Sequence, residues 1–376
     1  MSAWTYADAG VSQKLGDDAS KVLYNAAKIT WENRKGKLGE VVEATSDFSG
    51  LRAIKVGGLP EGTIANIGFD GVGTKMEIAE RLTKHDTIAH DLFAMVCDDA
   101  VRFGAEPVLV GSVLDVNTLT MSKETGETYL DFVKQLAHGY IGAATAANVA
   151  VVNGEIAELG TRVNGFGPFN YNWSAGVLWF ARQDRIITGK EIAPGQEIVA
   201  LRENGFRSNG LSLVRKIMTS QLGKDWHEKQ PGYAHAILKP SEIYSGAVSE
   251  MTGGALGEPK VEITGIAHIT GGGIPGKLSR ILKVNGFGAS LDDLFPPSQM
   301  MYDLQNIGGI ADEEAYRTWN MGNGMLIVTK EPYKVVEIAQ KQGIGAQPVG
   351  VVTKEPVMRV ESKGVRAGQE LQYKVE

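Results

Sequence analysis

The run Gly68-Phe69-Asp70-Gly71-Val72-Gly73-Thr74-Lys75 constrains this chain more than any other stretch. It follows an apolar, strand-like segment and leads into one where Met76, Ile78, Ala79 and Leu82 recur at helical spacing. A fold built around it must turn from strand to helix beside a carboxylate, a hydroxyl and an ammonium. Such a set suits a polyphosphate with its metal. Asp70 can hold Mg²⁺, Gly71 and Gly73 permit close backbone approach, Thr74 offers a hydroxyl, and Lys75 can neutralise phosphate oxygens. The run is not the P-loop pattern, and its plainest reading is a glycine turn into a helix with Asp70 as the cap.

From this run onward strand-like and helix-like segments alternate, which predicts an α/β fold of mixed sheets packed with helices. Before it, residues 17–31 read as a helix and 43–60 as a loop. Strands are expected at 62–69, 107–116, 149–152 and 172–181, with helices at 75–84, 86–103 and 128–147 between them. A polar, turn-rich stretch at 182–195 marks the expected boundary between a first domain, 1–182, and a second, 183–376. In the second, strands are expected at 197–201, 261–269, 325–329 and 349–352, and helices at 208–218, 241–251 and 332–341.

A length of 376 residues favours two domains, each large enough for its own core. The formal charge of −6 and the lack of a Lys/Arg-rich block argue against a nucleic-acid partner. The single Cys97 excludes an intrachain disulfide and a cysteine-based zinc cluster, and the six histidines form no His-Glu-x-x-His pair. No signal-peptide core and no 18-residue apolar run is present, so the expected setting is the cytoplasm, away from any membrane.

Asp70 has acidic company. The segment 86–103 carries Asp91, Asp98 and Asp99 among Phe93, Ala94, Met95, Val96 and Cys97, so it reads as a buried helix whose carboxylates need partners. Asp91 and Asp98 are seven residues apart and share a face. Glu155, beside Gly154 at the expected end of a strand, is a third candidate. Asp70, Asp99 and Glu155 together resemble oxygen ligands for hard cations. Asp86 is the expected cap of the helix, and Cys97 reads as core.

The second half holds two glycine sites. Asn204-Gly205-Phe206-Arg207-Ser208-Asn209-Gly210 precedes a helix that Ser208 or Asn209 can cap, and His268-Ile269-Thr270-Gly271-Gly272-Gly273 joins a strand to another helix. Both offer free N–H groups to an anion, although each could be a simple tight turn. Gly271 to Gly276-Lys277 imitates a P-loop, but Leu278 stands where the metal-binding hydroxyl belongs. A lone His268 reads most simply as a hydrogen-bonded core residue.

Together these motifs resemble the aminoimidazole ribonucleotide synthetases, or phosphoribosylformylglycinamidine cyclo-ligases, over nearly the whole chain. The resemblance runs from Tyr6-Ala7-Asp8-Ala9-Gly10-Val11 through Asp70–Lys75, His85-Asp86-Thr87-Ile88, Asp91-Leu92, Gly104-Ala105-Glu106-Pro107 and Gly154-Glu155. It continues through Ser208-Asn209-Gly210, His268–Gly273 and Gly322-Asn323-Gly324-Met325. It implies a homodimer whose first domains pair their sheets into a shared barrel, with a mixed α/β second domain in each subunit. It implies ATP and Mg²⁺ at the first domain, with Asp70, Lys75, Asp99 and Glu155 catalytic and Gly71, Gly73, Thr74, Asp91 and Gly154 near the nucleotide. It further implies that formylglycinamidine ribonucleotide closes to aminoimidazole ribonucleotide, held by Arg207, Ser208, Asn209, His268, Thr270, Gly271, Gly272 and Gly273.

Four positions depart from the family pattern. Ser46-Asp47-Phe48-Ser49-Gly50 replaces a run resembling Gly-Gly-Phe-Gly-Gly. Asp98 replaces Asn, Ile156 replaces Thr, and Arg207 replaces the His before Ser-Asn-Gly. These leave room for a related ATP-dependent synthetase or kinase with another acceptor, or for a nucleotide-binding paralogue without turnover.

Overall fold

The computed structural model describes residues 12–43, 49–122, 126 and 128–375. The family-like segment 6–11 and most of the altered loop, 46–48, lie outside them. Thirteen strands are present among the described residues: β1 (Val41–Glu43), β2 (Arg52–Ile54), β3 (Thr63–Gly71), β4 (Glu106–Val116), β5 (Ala150–Glu158), β6 (Tyr171–Arg182), β7 (Glu197–Arg202), β8 (Ile263–His268), β9 (Gly288–Leu291), β10 (Asn323–Thr329), β11 (Ala346–Thr353), β12 (Val357–Glu361) and β13 (Glu370–Lys374). The helices are α1 (Gln13–Thr30), α2 (Met76–Leu82), α3 (Ile88–Val101), α4 (Tyr129–Ala147), α5 (Leu211–Leu222), α6 (Trp226–Lys229), α7 (Pro231–Ile237), α8 (Ser245–Thr252), α9 (Gly273–Leu282), α10 (Gln299–Gly308), α11 (Asp312–Thr318) and α12 (Pro332–Lys341).

Two sheets organise the chain. The first has four strands in the order β3-β6-β4-β5, antiparallel except for the parallel β4–β5 pair. The helices α1, α3 and α4 pack together against this sheet. Its strands alternate as half-covered strands do. Trp173, Ala175 and Val177 point into the core with Val110 and Leu114, whereas Val113 and Phe69 face out. The second sheet has seven strands, β13-β12-β9-β11-β7-β10-β8, antiparallel except for β12–β9. Its β10 is buried along its whole length, as its unbroken apolar run requires. A hydrophobic core continues from Val72 and Ala100 in the first half to Phe206, Ile269 and Trp319 in the second.

Several local expectations change. The motif Asn153-Gly154-Glu155 lies inside β5 rather than beyond its end, because β4 supplies partners as far as Val116–Glu158 after a register shift at Val110/Gly111. Neither Ser208 nor Asn209 caps α5; its N-cap is Gly210, in the left-handed region at φ 74°. Asp86 does not cap α3, whose N-cap is Thr87, and is instead paired to Lys84 at 2.8 Å.

Candidate functional site

The glycine turns converge where the first sheet meets the second half. Thr74 Oγ1 lies 3.5 Å from Ser212 Oγ on α5. A methyl group at Gly271 would sit 3.3 Å from Asn209 Oδ1, so the 204–210 and 268–273 turns touch. Gly273 must be glycine: its φ is +58°, and a Cβ would strike the Tyr316 carbonyl. Around this junction Gly73, Thr74, Gly271 and Gly272 are exposed, Gly71, Ser208 and Asn209 half-buried, and Thr270 buried. Ser208 Oγ is buried without a hydrogen-bond partner among the described residues.

An acidic corner borders the junction. Asp70, at the end of β3, feels the charges of Asp99 and Lys277. Burial raises its pKa, the Gly71 N–H opposes the rise, and Asp99 adds to it. Asp99, near the end of α3, behaves oppositely. Burial works against its charge, but His268, Arg102 and Lys277 outweigh it and hold the carboxyl below its ordinary range. Arg102 Nε is 3.0 Å from Asp99 Oδ1, and His268 Nδ1 is 3.6 Å from the same oxygen. Lys277, half-buried on α9, has its pKa lowered by burial. Two carboxylates and a cation that sense one another at an open edge can bind a metal–phosphate unit.

Other expected members of the site are sealed beneath it. Lys75, expected to meet phosphate, is wholly buried; its Nζ donates to Asp91 Oδ1 at 2.6 Å and to the Lys239 carbonyl at 2.6 Å. Asp91, expected near the nucleotide, is equally buried and also accepts from Ser241 Oγ at 2.5 Å. Arg207, expected on the substrate phosphate, is fully buried too. It donates to Asp98 Oδ2 at 2.8 Å, Glu203 Oε2 at 3.0 Å, the Glu242 carbonyl at 2.9 Å and His268 Nε2 at 2.8 Å. Burial pushes Asp98 up to about 7 despite Arg207, and pushes His268 down to about 4. These are the partners that carboxylates on an apolar helix demand. They tie α3 to the 203–207 and 239–245 segments.

Glu155 does not join Asp70 and Asp99 within one chain. Register places Asp70 level with Ala175, Ser112 and Gly154 across the sheet. Glu155 is therefore three strand spacings away, about 14 Å. The pleat also points it with exposed Val113 to the uncovered face, whereas Asp70 shares the side of buried Ala175. Among the described residues no three His, Cys, Asp or Glu side chains cluster to hold a metal. The expected three-carboxylate set is thus reduced to the pair Asp70 and Asp99. Glu155 and Gly154 border a cavity of about 630 Å³ on the open face, with Ile67, Phe69 and Val113, and Asp70 reaches the rim of the same cavity from the far strand.

Lys277 escaped the sequence reading as a site residue, because it entered only through a rejected P-loop match. Nothing local assigns Ser212 or Ser241 to the site, since their partners lie more than a hundred residues away.

The family model described as AIR synthase related protein, N-terminal domain matches residues 54–169, and its C-terminal counterpart matches residues 193–363. The chain is 33% identical over 364 residues to the phosphoribosylformylglycinamidine cyclo-ligase of Thermococcus kodakarensis, covering 96% of this chain and 99% of that one. It is 34% identical over 357 residues to the protein of the same name from Methanocaldococcus jannaschii, covering 93% and 92%. Its fold is similar to that of E. coli HypE, a hydrogenase maturation protein (TM-score 0.60, 12% identity, 93% of this chain and 95% of that one). It is also similar to T. maritima PurL complexed with ATP (TM-score 0.53, 17% identity, 97% of this chain and 52% of that one). This chain belongs to the phosphoribosylformylglycinamidine cyclo-ligase family.

Proposed function

We propose that this member of the cyclo-ligase family uses ATP to close formylglycinamidine ribonucleotide into aminoimidazole ribonucleotide, releasing ADP and phosphate. The observation that carries the reading is the meeting of three glycine turns beside the Asp70–Asp99–Lys277 corner. The formyl oxygen takes the γ-phosphoryl group from ATP. The neighbouring amine nitrogen then attacks the activated carbon, and phosphate leaves as the ring closes. Such chemistry asks for positioning and charge neutralisation rather than a protein nucleophile. Exposed N–H groups at the turns fit phosphate oxygens, Lys277 offers a cation at the edge, and Lys75 and Arg207 serve beneath as supports.

Mg²⁺ commonly binds through one or two carboxylates, completing its shell with water and phosphate. Asp70 and Asp99 fit that demand as a pair and would hold it. When bound, the ion would offset charge on the transferring phosphoryl group.

We further propose that the enzyme works in the cytoplasm as a homodimer. The uncovered face of the first sheet exposes Ile67, Phe69 and Val113 by 53%, 80% and 44%. A second copy laid face to face would cover them. With its twofold axis along the strands it would set the β5 edge of one copy over the β3 edge of the other, giving Glu155 a route to the opposing nucleotide site.

The test is to mix the protein with ATP, Mg²⁺ and synthetic formylglycinamidine ribonucleotide and to follow ADP and aminoimidazole together. Equal formation of both is expected. ADP formed only with another acceptor, or ATP bound without turnover, would overturn the assignment.

A further inference from the structure

Arg207 is sealed from ligand, yet its guanidinium is aimed at a histidine on the wall of the site. We infer that Arg207 is a positioning residue that fixes His268 as the neutral tautomer protonated at Nδ1, so that the ring presents a donor rather than a base to Asp99. A guanidinium has only donors and keeps its charge in proteins. The 2.8 Å contact from Arg207 Nη2 to His268 Nε2 therefore requires a lone pair on Nε2. A neutral ring with that lone pair carries its proton on Nδ1.

Nδ1 is the atom that faces the site. It lies 3.6 Å from Asp99 Oδ1, beyond hydrogen-bond length, and has no other partner among the described residues. The His268 side chain is 1% exposed, while that of Asp99 is 51% exposed. A buried donor thus stands idle beside a carboxylate that reaches solvent. Leaving it unpaired is unfavourable; a small approach of Asp99, or an anionic oxygen at the same place, would satisfy it.

The guanidinium is itself firmly held. Asp98 and Glu203 grip it from two sides. Asp98 Oδ1 accepts from the Tyr244 N–H at 2.9 Å, and Glu203 Oε1 accepts from Asn204 and Gly205 N–H groups at 2.9 and 3.0 Å. Arg207 also keeps a left-handed backbone, φ 56°, which a non-glycine residue adopts only where surrounding contacts insist on it.

The inference rests on the Asp70–Asp99–Lys277 corner being the reaction centre, but its test needs no turnover. Long-range ¹H–¹⁵N NMR of the full chain carrying ¹⁵N-histidine, with His268→Gln to identify the resonances, reads the tautomer directly. At pH about 7 wild-type His268 should be protonated at Nδ1 alone. Arg207→Lys, which keeps a charged donor, should preserve that state, and Arg207→Met should lose it to mixed tautomers. Should Arg207→Met fail to fold with its carboxylates unpaired, Asp98→Asn combined with Arg207→Met removes one of them and should show the same loss. A wild-type ring protonated at Nε2 overturns the inference, as does the same tautomer in wild type and a folded Met variant. Failure of ring closure in the ATP assay would leave the tautomer result standing and would refute only the proposed reaction.

Discussion

Lys75 Nζ and Asp91 Oδ1 lie 2.6 Å apart with neither side chain exposed to solvent, and the same ammonium donates to the Lys239 carbonyl. A lysine that follows a glycine turn thus bonds to the second half of the chain from below. Removing one partner of such a pair strands a buried charge. Lys75→Ala should therefore cost about 3–5 kcal/mol of stability in urea unfolding. Lys75→Met with Asp91→Leu, which removes both charges and keeps the volume, should recover most of that loss. A Lys75→Ala protein as stable as wild type would show that the pair is not structural.

Asp70 differs, since it sits exposed at the end of a strand. Asp70→Asn should lower turnover at least about tenfold, or 1.4 kcal/mol of barrier, and leave the melting temperature unchanged. Lys277→Ala should do likewise. Wild-type rates in both variants would place the reaction elsewhere.

Phe69 is 80% exposed beside Ile67 and Val113 on one sheet face. Light scattering at micromolar concentration should find a dimer. Phe69→Glu, which puts a charge on that apolar face, should yield a folded monomer. A wild-type monomer would refute the shared barrel.

Glu80 is 7% exposed and accepts from the Phe166 and Tyr171 N–H groups at 2.9 and 3.3 Å. Burial nonetheless raises its pKa from 4.5 to about 7. Between those values the folded chain holds a proton that the unfolded chain releases. The resulting stability is complete below 4.5 and is lost as pH rises through about 7. Wild type should therefore lose up to about 3 kcal/mol between roughly pH 5 and pH 8 relative to Glu80→Gln. Parallel unfolding profiles for the two proteins would refute the assignment.

Much of the architecture was legible because it follows from short-range periodicity. The helix expected at 332–341 is α12, Pro332–Lys341. The apolar run around Cys97 is a buried helix whose Asp91 and Asp98 both have charged partners. The short strands β9, β12 and β13 gave no comparable signal, because four or five residues carry too little pattern and only a neighbouring strand makes them a sheet. The site divided in the same way. The three glycine turns, Asp70 and Asp99 are candidates by residue type beside a strand or helix end, and the structure leaves both carboxylates exposed.

Which charges the fold buries was not legible. Lys75 and Arg207 look like phosphate ligands in one dimension, and tertiary structure turned both inward. Arg207 meets Asp98 across 109 residues of chain. Glu155 faces away from the Asp70 side because the register beyond Val110/Gly111 pairs it with outward-facing Val113, and alternate residues of a strand take opposite faces. Sequence determines the local elements through side-chain spacing and backbone freedom. The partner of a buried charge depends on long-range packing, where desolvation makes an unpaired ion so costly that the fold must bring its counter-ion to it.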